Sequence, residues 1–152
     1  FRETVCSAPK VFDAFKMRFD LADLETCGYF VADFEELELT EIDFSVEANS
    51  EELALNWMKN RFNVAFKVER DCLLFEHCLL KISDSEFWFY GRYHHLIIDG
   101  YGFILFVQYV SQCYKALSQG ELINFSYPSY LEEVINSSKK LDSESFIILV
   151  IS

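Results

Sequence analysis

The residues equipped for chemistry gather in one stretch, Gly91-Arg92-Tyr93-His94-His95-Leu96-Ile97-Ile98-Asp99-Gly100-Tyr101-Gly102. Two adjacent imidazoles precede a carboxylate, Asp99, and a tyrosine flanked by glycines. An imidazole in ordinary surroundings is largely neutral at cellular pH and readily takes up a proton, so the pair suits proton transfer. Adjacent residues at a strand end project to opposite sides. One histidine can therefore enter a cleft while the other is tied into the fold. The third histidine, His77, lies in an apolar run and reads as a satisfied core or surface residue, with Cys78 beside it as strand filler.

Two elements must hold this turn. Upstream, Phe87-Trp88-Phe89-Tyr90 follows Ser83-Asp84-Ser85, the pattern of a buried strand behind a turn. Leu73 to Ile82 and Phe87 to Tyr93 thus form a hairpin that delivers the histidines to its far end. Downstream, Phe103, Phe106, Val107, Val110, Tyr114 and Leu117 recur at helical spacing until Ser118-Gln119-Gly120, a glycine stop. A polar turn clamped between a strand and a helix is a rigid mount for reactive groups.

His-His-x-x-x-Asp-Gly, followed by Tyr101-Gly102 and a helix, resembles the signature of the condensation domains of nonribosomal peptide synthetases. Further stretches are similar to that family: Arg61-Phe62-Asn63-Val64, Leu73-Leu74-Phe75 with Leu79-Leu80, and Phe15-Lys16-Met17-Arg18-Phe19. The resemblance implies an α/β fold of the chloramphenicol-acetyltransferase-like sandwich type, a mixed, mainly antiparallel sheet of about five strands with packed helices. It reaches only the first of the two similarly folded halves of such a domain. It assigns residues 1–145 to an N-terminal half whose first strand and part of a helix precede Phe1, and leaves 146–152 as an apolar tail of uncertain origin.

What the resemblance implies about chemistry is amide formation between two thioesters carried on the phosphopantetheine of carrier proteins. No cofactor is bound directly. The second histidine of the signature, here His95, serves as base or orients the attacking amine. His94, Asp99 and Gly100 are supports, the aspartate being held in the family by an arginine from the C-terminal half. Tyr101 and Gly102 touch substrate, and Gly100 and Gly102 let the backbone approach it and turn into a helix whose N–H groups face a developing oxyanion. The partners implied are carrier proteins and the missing C-terminal half, and the fragment alone is expected to be inactive. The alternatives are a trimeric chloramphenicol-acetyltransferase-like small-molecule acyltransferase and a non-catalytic half domain that only binds a carrier protein.

Composition narrows the field. A net charge of −12 opposes binding to phosphate backbones or anionic lipid, which leaves nucleic acid and membrane surfaces out. With 51% hydrophobic and 17% aromatic residues the chain has the material for a real core, and no apolar run reaches the ~20 residues needed to span a bilayer. Its 5 cysteines are unpaired in spacing and no signal segment is legible, which points to a reducing cytoplasm. Cys72, His77 and Cys78 lack the C-x-x-C spacing of a zinc site, so no metal is expected.

The remaining elements follow from pattern. Val5, Val11, Phe12 and Phe15 hold helical spacing interrupted at Pro9, which either breaks the segment or starts its second turn, and Phe15 to Asp20 alternates as a strand paired with Cys27 to Val31 through a turn at Ala22 to Thr26. Asp33 to Phe44 alternates carboxylates with apolar residues, a solvated strand whose acids cannot converge on one ion. Helices are expected near 50–62, capped at Asn49 or Ser50 with either Leu53, Trp57 and Arg61 or Met58 and Phe62 on the buried stripe, and at 128–140, with Pro128 in the first turn.

Overall fold

A computed structural model describes residues 1–20, 28–31, 37, 39–121, 127–140 and 150–151. In chain order these form α1 (Arg2–Val11), a 3-10 turn (Asp13–Lys16), β1 (Met17–Phe19), β2 (Gly28–Phe30), β3 (Thr40–Asp43) and α2 (Ser50–Phe62). Then come β4 (Phe75–Lys81), β5 (Phe87–Tyr93), α3 (Gly100–Ser118), α4 (Tyr130–Lys140) and β6 (Val150–Ile151). The fold class is the mixed α/β sandwich expected, but its described strands fall into two three-stranded sheets rather than one of about five. One sheet runs β1-β2-β6 and the other β3-β4-β5. The expected turn at 22–26, residues 33–36 and 38 of the acidic run, and most of the tail lie outside the described residues.

The β3-β4-β5 sheet carries the site, and period-two alternation explains its two covered faces. On β4, Phe75, His77 and Leu79 point to one side, where Val5, Ala8, Phe15, Phe106, Tyr109, Val110 and Cys113 of α1, the 3-10 turn and α3 form the main core. Cys78 and Leu80 point to the other side, against Ala54, Trp57 and Met58 of α2, with Tyr90 of β5. Phe15 and Phe106 are each 1% exposed, and burying such a side chain contributes roughly 1.5–3 kcal/mol. β3 joins β4 in parallel, Thr40 opposite Cys78, so α2 is the crossover between them.

Several elements differ in detail from the sequence reading. α1 runs through Pro9 without breaking there. The buried stripe of α3 is Phe106, Tyr109, Val110 and Cys113, while Phe103, Val107 and Tyr114 are 43%, 46% and 52% exposed. This helix is apolar on too many sides for spacing alone to select its inner face. In α2 the buried residue is Ala54 and Phe62 faces solvent, and Asn49 occupies the cap position without a side-chain bond. Four cysteines, Cys6, Cys72, Cys78 and Cys113, are free thiols, and burial pushes Cys78 up to about 11.

Candidate active site

β5 ends at Tyr93, and the chain keeps its grip on the sheet for one residue more, since the His94 N–H donates to the Leu74 carbonyl at 2.8 Å. A tight turn follows, closed by the Ile97 N–H on the His94 carbonyl at 3.1 Å, with Ile97 buried in the core as its anchor. The two imidazoles diverge from this point. His94 Nδ1 accepts from the Leu96 N–H at 3.1 Å, and its ring meets Phe66 edge-on with centroids 6.1 Å apart. His95 is exposed and lines a cleft of about 550 Å³.

Asp99, Tyr101 and Gly102 line that same cleft; His94 and Gly100 do not. The opposite wall comes from Phe12, Phe15 and Met17 and from the chain entering α4, including Ser129 and Glu133. A roomier groove, about 700 Å³, runs past Phe1, Phe89, Val107 and Tyr114, and its lining has neither imidazole nor carboxylate. Of these two, the His95 cleft is the one that holds an imidazole and carboxylates, those of Asp99 and Glu133.

Asp99 has a local task that sequence reasoning missed. It is the N-cap of α3: its Oδ1 accepts from the Gly102 N–H at 2.7 Å and its carbonyl from the Phe103 N–H at 2.9 Å. The signal, an Asp in front of the first apolar-periodic residue, was present. Two donors of the first turn are thus occupied, leaving the N–H groups of Gly100 and Tyr101 without intrahelical acceptors. Gly102 is needed for closeness, since a Cβ there would lie 3.1 Å from the Ile98 side chain and 3.3 Å from Asp99 Oδ1. A Cβ on Gly100 would meet nothing within 4 Å, and Gly120 is the glycine with positive φ, so neither Gly100 nor Gly102 serves the turn by backbone freedom.

Behind the turn lies a second layer. His77 is 7% exposed among the rings of Phe15, Phe75, Phe89, Tyr93 and Phe106, stacked on Phe106 with an interplanar angle of 14°. Burial pulls its imidazole down to about 4, so it is a neutral core group at physiological pH. On the opposite face of the sheet Glu76 accepts from Arg61 Nε at 2.8 Å and from Arg92 Nε at 2.6 Å. Burial alone would raise the Glu76 carboxyl, but the two guanidiniums outweigh it and hold the group below its usual value. Across the cleft, Asp13 Oδ2 accepts from Ser129 Oγ at 2.6 Å and from the Leu131 N–H at 3.4 Å, which fixes the start of α4. Among the described residues no cluster of His, Cys, Asp and Glu could hold a metal, and no helix is long and apolar enough to cross a membrane.

Comparison with known proteins agrees over nearly the whole chain. The chain is 39% identical over 87 residues to a dimodular nonribosomal peptide synthase of Bacillus subtilis, a match covering 57% of this chain and 4% of that protein. It is 30% identical over 110 residues to enterobactin synthase component F of Escherichia coli O157:H7, covering 72% of this chain and 8% of the relative. The chain thus spans a small part of the relatives it matches. Among solved structures, VibH, an NRPS condensation enzyme, superimposes with a TM-score of 0.78 at 24% identity, covering 93% of this chain and 32% of VibH. The starter condensation domain of rhizomide synthetase RzmA gives a TM-score of 0.79 at 22% identity, covering 93% of this chain and 34% of that one. The condensation domain model matches residues 1–146, and the chain belongs to the condensation domain family.

Proposed function

We propose that this chain supplies the histidine-bearing wall of a site that forms amide bonds in nonribosomal peptide synthesis. The amine of an acceptor aminoacyl thioester attacks the carbonyl carbon of a donor acyl or peptidyl thioester. The carbon–sulfur bond breaks, the donor's thiol leaves, and the amine gives up a proton. His95 takes that proton or holds the amine in line, while His94 and Asp99 support the turn. Both thioesters hang from the phosphopantetheine of carrier proteins, which are the partners of this reading, and the working compartment is the cytoplasm.

The observation that carries the proposal is that His95 is exposed in a cleft bounded by the N-terminus of α3. The cleft is open on one side, and two of its lining residues, Leu96 and Tyr101, are 41% and 70% exposed. An apolar face of this kind next to a reactive group is suited to a second wall. We assign that wall to a C-terminal half, with residues 1–145 as the N-terminal half and 146–152 as an apolar tail. On this reading the 152-residue chain alone is inactive, because a single wall neither excludes water nor aligns two thioesters.

The test is single-turnover condensation between two loaded carrier proteins, using a complete domain that contains this sequence. His95→Ala should lower the rate ~10²–10⁴-fold, and His94→Gln much less. Near-normal turnover by a folded His95→Ala variant would remove His95 from the reaction.

A further inference from the structure

We infer that Arg92 is a positioning residue for the histidine turn, acting on His94 through Phe66. The guanidinium stands two residues before His94 on the α2 side of β5, and its side chain is 9% exposed. Two of its three nitrogens and its plane are engaged. Nε donates to Glu76 Oε2 at 2.6 Å, Nη1 donates to the Arg61 carbonyl at 3.1 Å and to the Val64 carbonyl, and the plane lies 4.3 Å from the centre of the Phe66 ring.

Each contact has a physical reason. The Arg61 carbonyl is in the last turn of α2, where carbonyls lack intrahelical donors and a cation is favoured, and the Val64 carbonyl lies just beyond the C-cap Asn63. Glu76 faces Arg92 in register across β4 and β5 and supplies the countercharge, with Arg61 as its second partner. A guanidinium over a phenyl face adds a cation–π attraction. Arg92 therefore ties the end of α2, and the segment carrying Phe66, onto the strand that presents the histidines. Phe66 in turn meets the His94 ring edge-on, and that ring is oriented so that Nδ1 receives the Leu96 N–H. An Nδ1 that accepts is unprotonated, so the neutral ring carries its proton on Nε2. The turn that sets the direction of His95 is thus braced by a charge network on the far side of the sheet from the core. A lysine cannot replace it, because an ammonium has neither the fork nor the plane.

The consequence for turnover rests on the proposed amide-forming role, whereas the structural part does not, and two readouts keep them apart. The first is the ¹⁵N signature of the His94 ring in the 152-residue chain. Arg92→Met and Phe66→Leu should both shift His94 from a single Nε2–H tautomer toward an averaged ring, while Phe66→Tyr should leave it unchanged. A purely structural role would lower the melting temperature and leave the His94 signature of the folded protein as it was, and that result overturns the inference. If Arg92→Met fails to fold, Phe66→Leu decides alone. The second readout is condensation by the complete domain, where Arg92→Met should lower kcat about tenfold with acceptor KM little changed, since misplacement of a reacting group acts on the chemical step. If the His94 signature shifts but kcat does not, the positioning role for the reaction is overturned. If His95→Ala also proves harmless, the amide-forming reading fails, and the ring signature still decides whether Arg92 orients His94.

Discussion

Tyr93 Oη and His77 Nε2 lie 3.0 Å apart, joining the last residue of β5 to the middle of β4 beneath the histidine turn. The bond spans a diagonal of the sheet, because His77 is directly opposite Gly91, and Tyr93 leans back over that glycine. The other ring nitrogen of His77, Nδ1, is buried without a protein partner.

The first prediction is a pH dependence of folding. Burial holds the His77 imidazole at about 4 against an ordinary 6.5, so the unfolded chain binds a proton that the folded chain refuses. Its contribution is fully present above pH 6.5 and is lost as the pH falls from there toward 4. The loss is on the order of 3 kcal/mol. Denaturant titrations at pH 7.5 and 4.5 should show it, and His77→Phe should flatten the slope in that window. The Glu76 and Asp13 carboxyls, both held below their usual values, act at lower pH, where their stabilisation is lost as each is finally protonated.

Gly91→Ala tests the same layer from the backbone. A Cβ at position 91 would stand 2.6 Å from Tyr93 Oη, so the ring must move and the bond to His77 breaks. A loss of about 1–3 kcal/mol is expected, the range for overpacking and for a buried polar group left unpaired. Tyr93→Phe removes the clashing oxygen. In a double-mutant cycle the two substitutions together should therefore cost clearly less than their sum. Additive losses would place the strain of Gly91→Ala elsewhere.

Asp99 offers a test of how the turn is joined to α3. Asparagine caps a helix about as well as aspartate, so Asp99→Asn should change stability by less than ~0.5 kcal/mol, while Asp99→Ala should cost about 1 kcal/mol. Amide exchange at Gly102, whose N–H is 2.7 Å from Asp99 Oδ1, should quicken in the alanine variant and not in the asparagine one. Equal losses in both would mean that the charge, rather than the cap, does the holding.

The elements around the site were legible because local rules agree there. Ser50-Glu51-Glu52 and helical spacing marked α2, which the structure bounds at Ser50 and Phe62, and the aromatic run with its serine turn marked the β4–β5 hairpin. What pattern could not supply is what depends on distant pairing. Nothing local in Thr40 to Asp43 announces a parallel partner at 78–81, nor does the sequence say that the strands divide into two sheets. The brace of Arg61, Glu76 and Arg92 escaped for the same reason, although charged residues within otherwise apolar strands were a visible sign. Asp99 was read through its resemblance to a loop support, which hid the simpler capping role that its place before α3 already indicated.

The parallel pairing of β3 with β4 also bears on the order in which the chain can fold. Thr40 meets Cys78 only after the chain has passed through α2 and the loop behind it, and β3's described ladder partner is β4. During synthesis, β3 therefore waits, its edge unpaired, until residues 75–81 leave the ribosome. The hairpin of β4 and β5 closes over a short turn and provides the template on which the earlier strand docks. A pause or truncation between α2 and β4 would leave a strand without its mate, a condition that favours association between chains over folding within one.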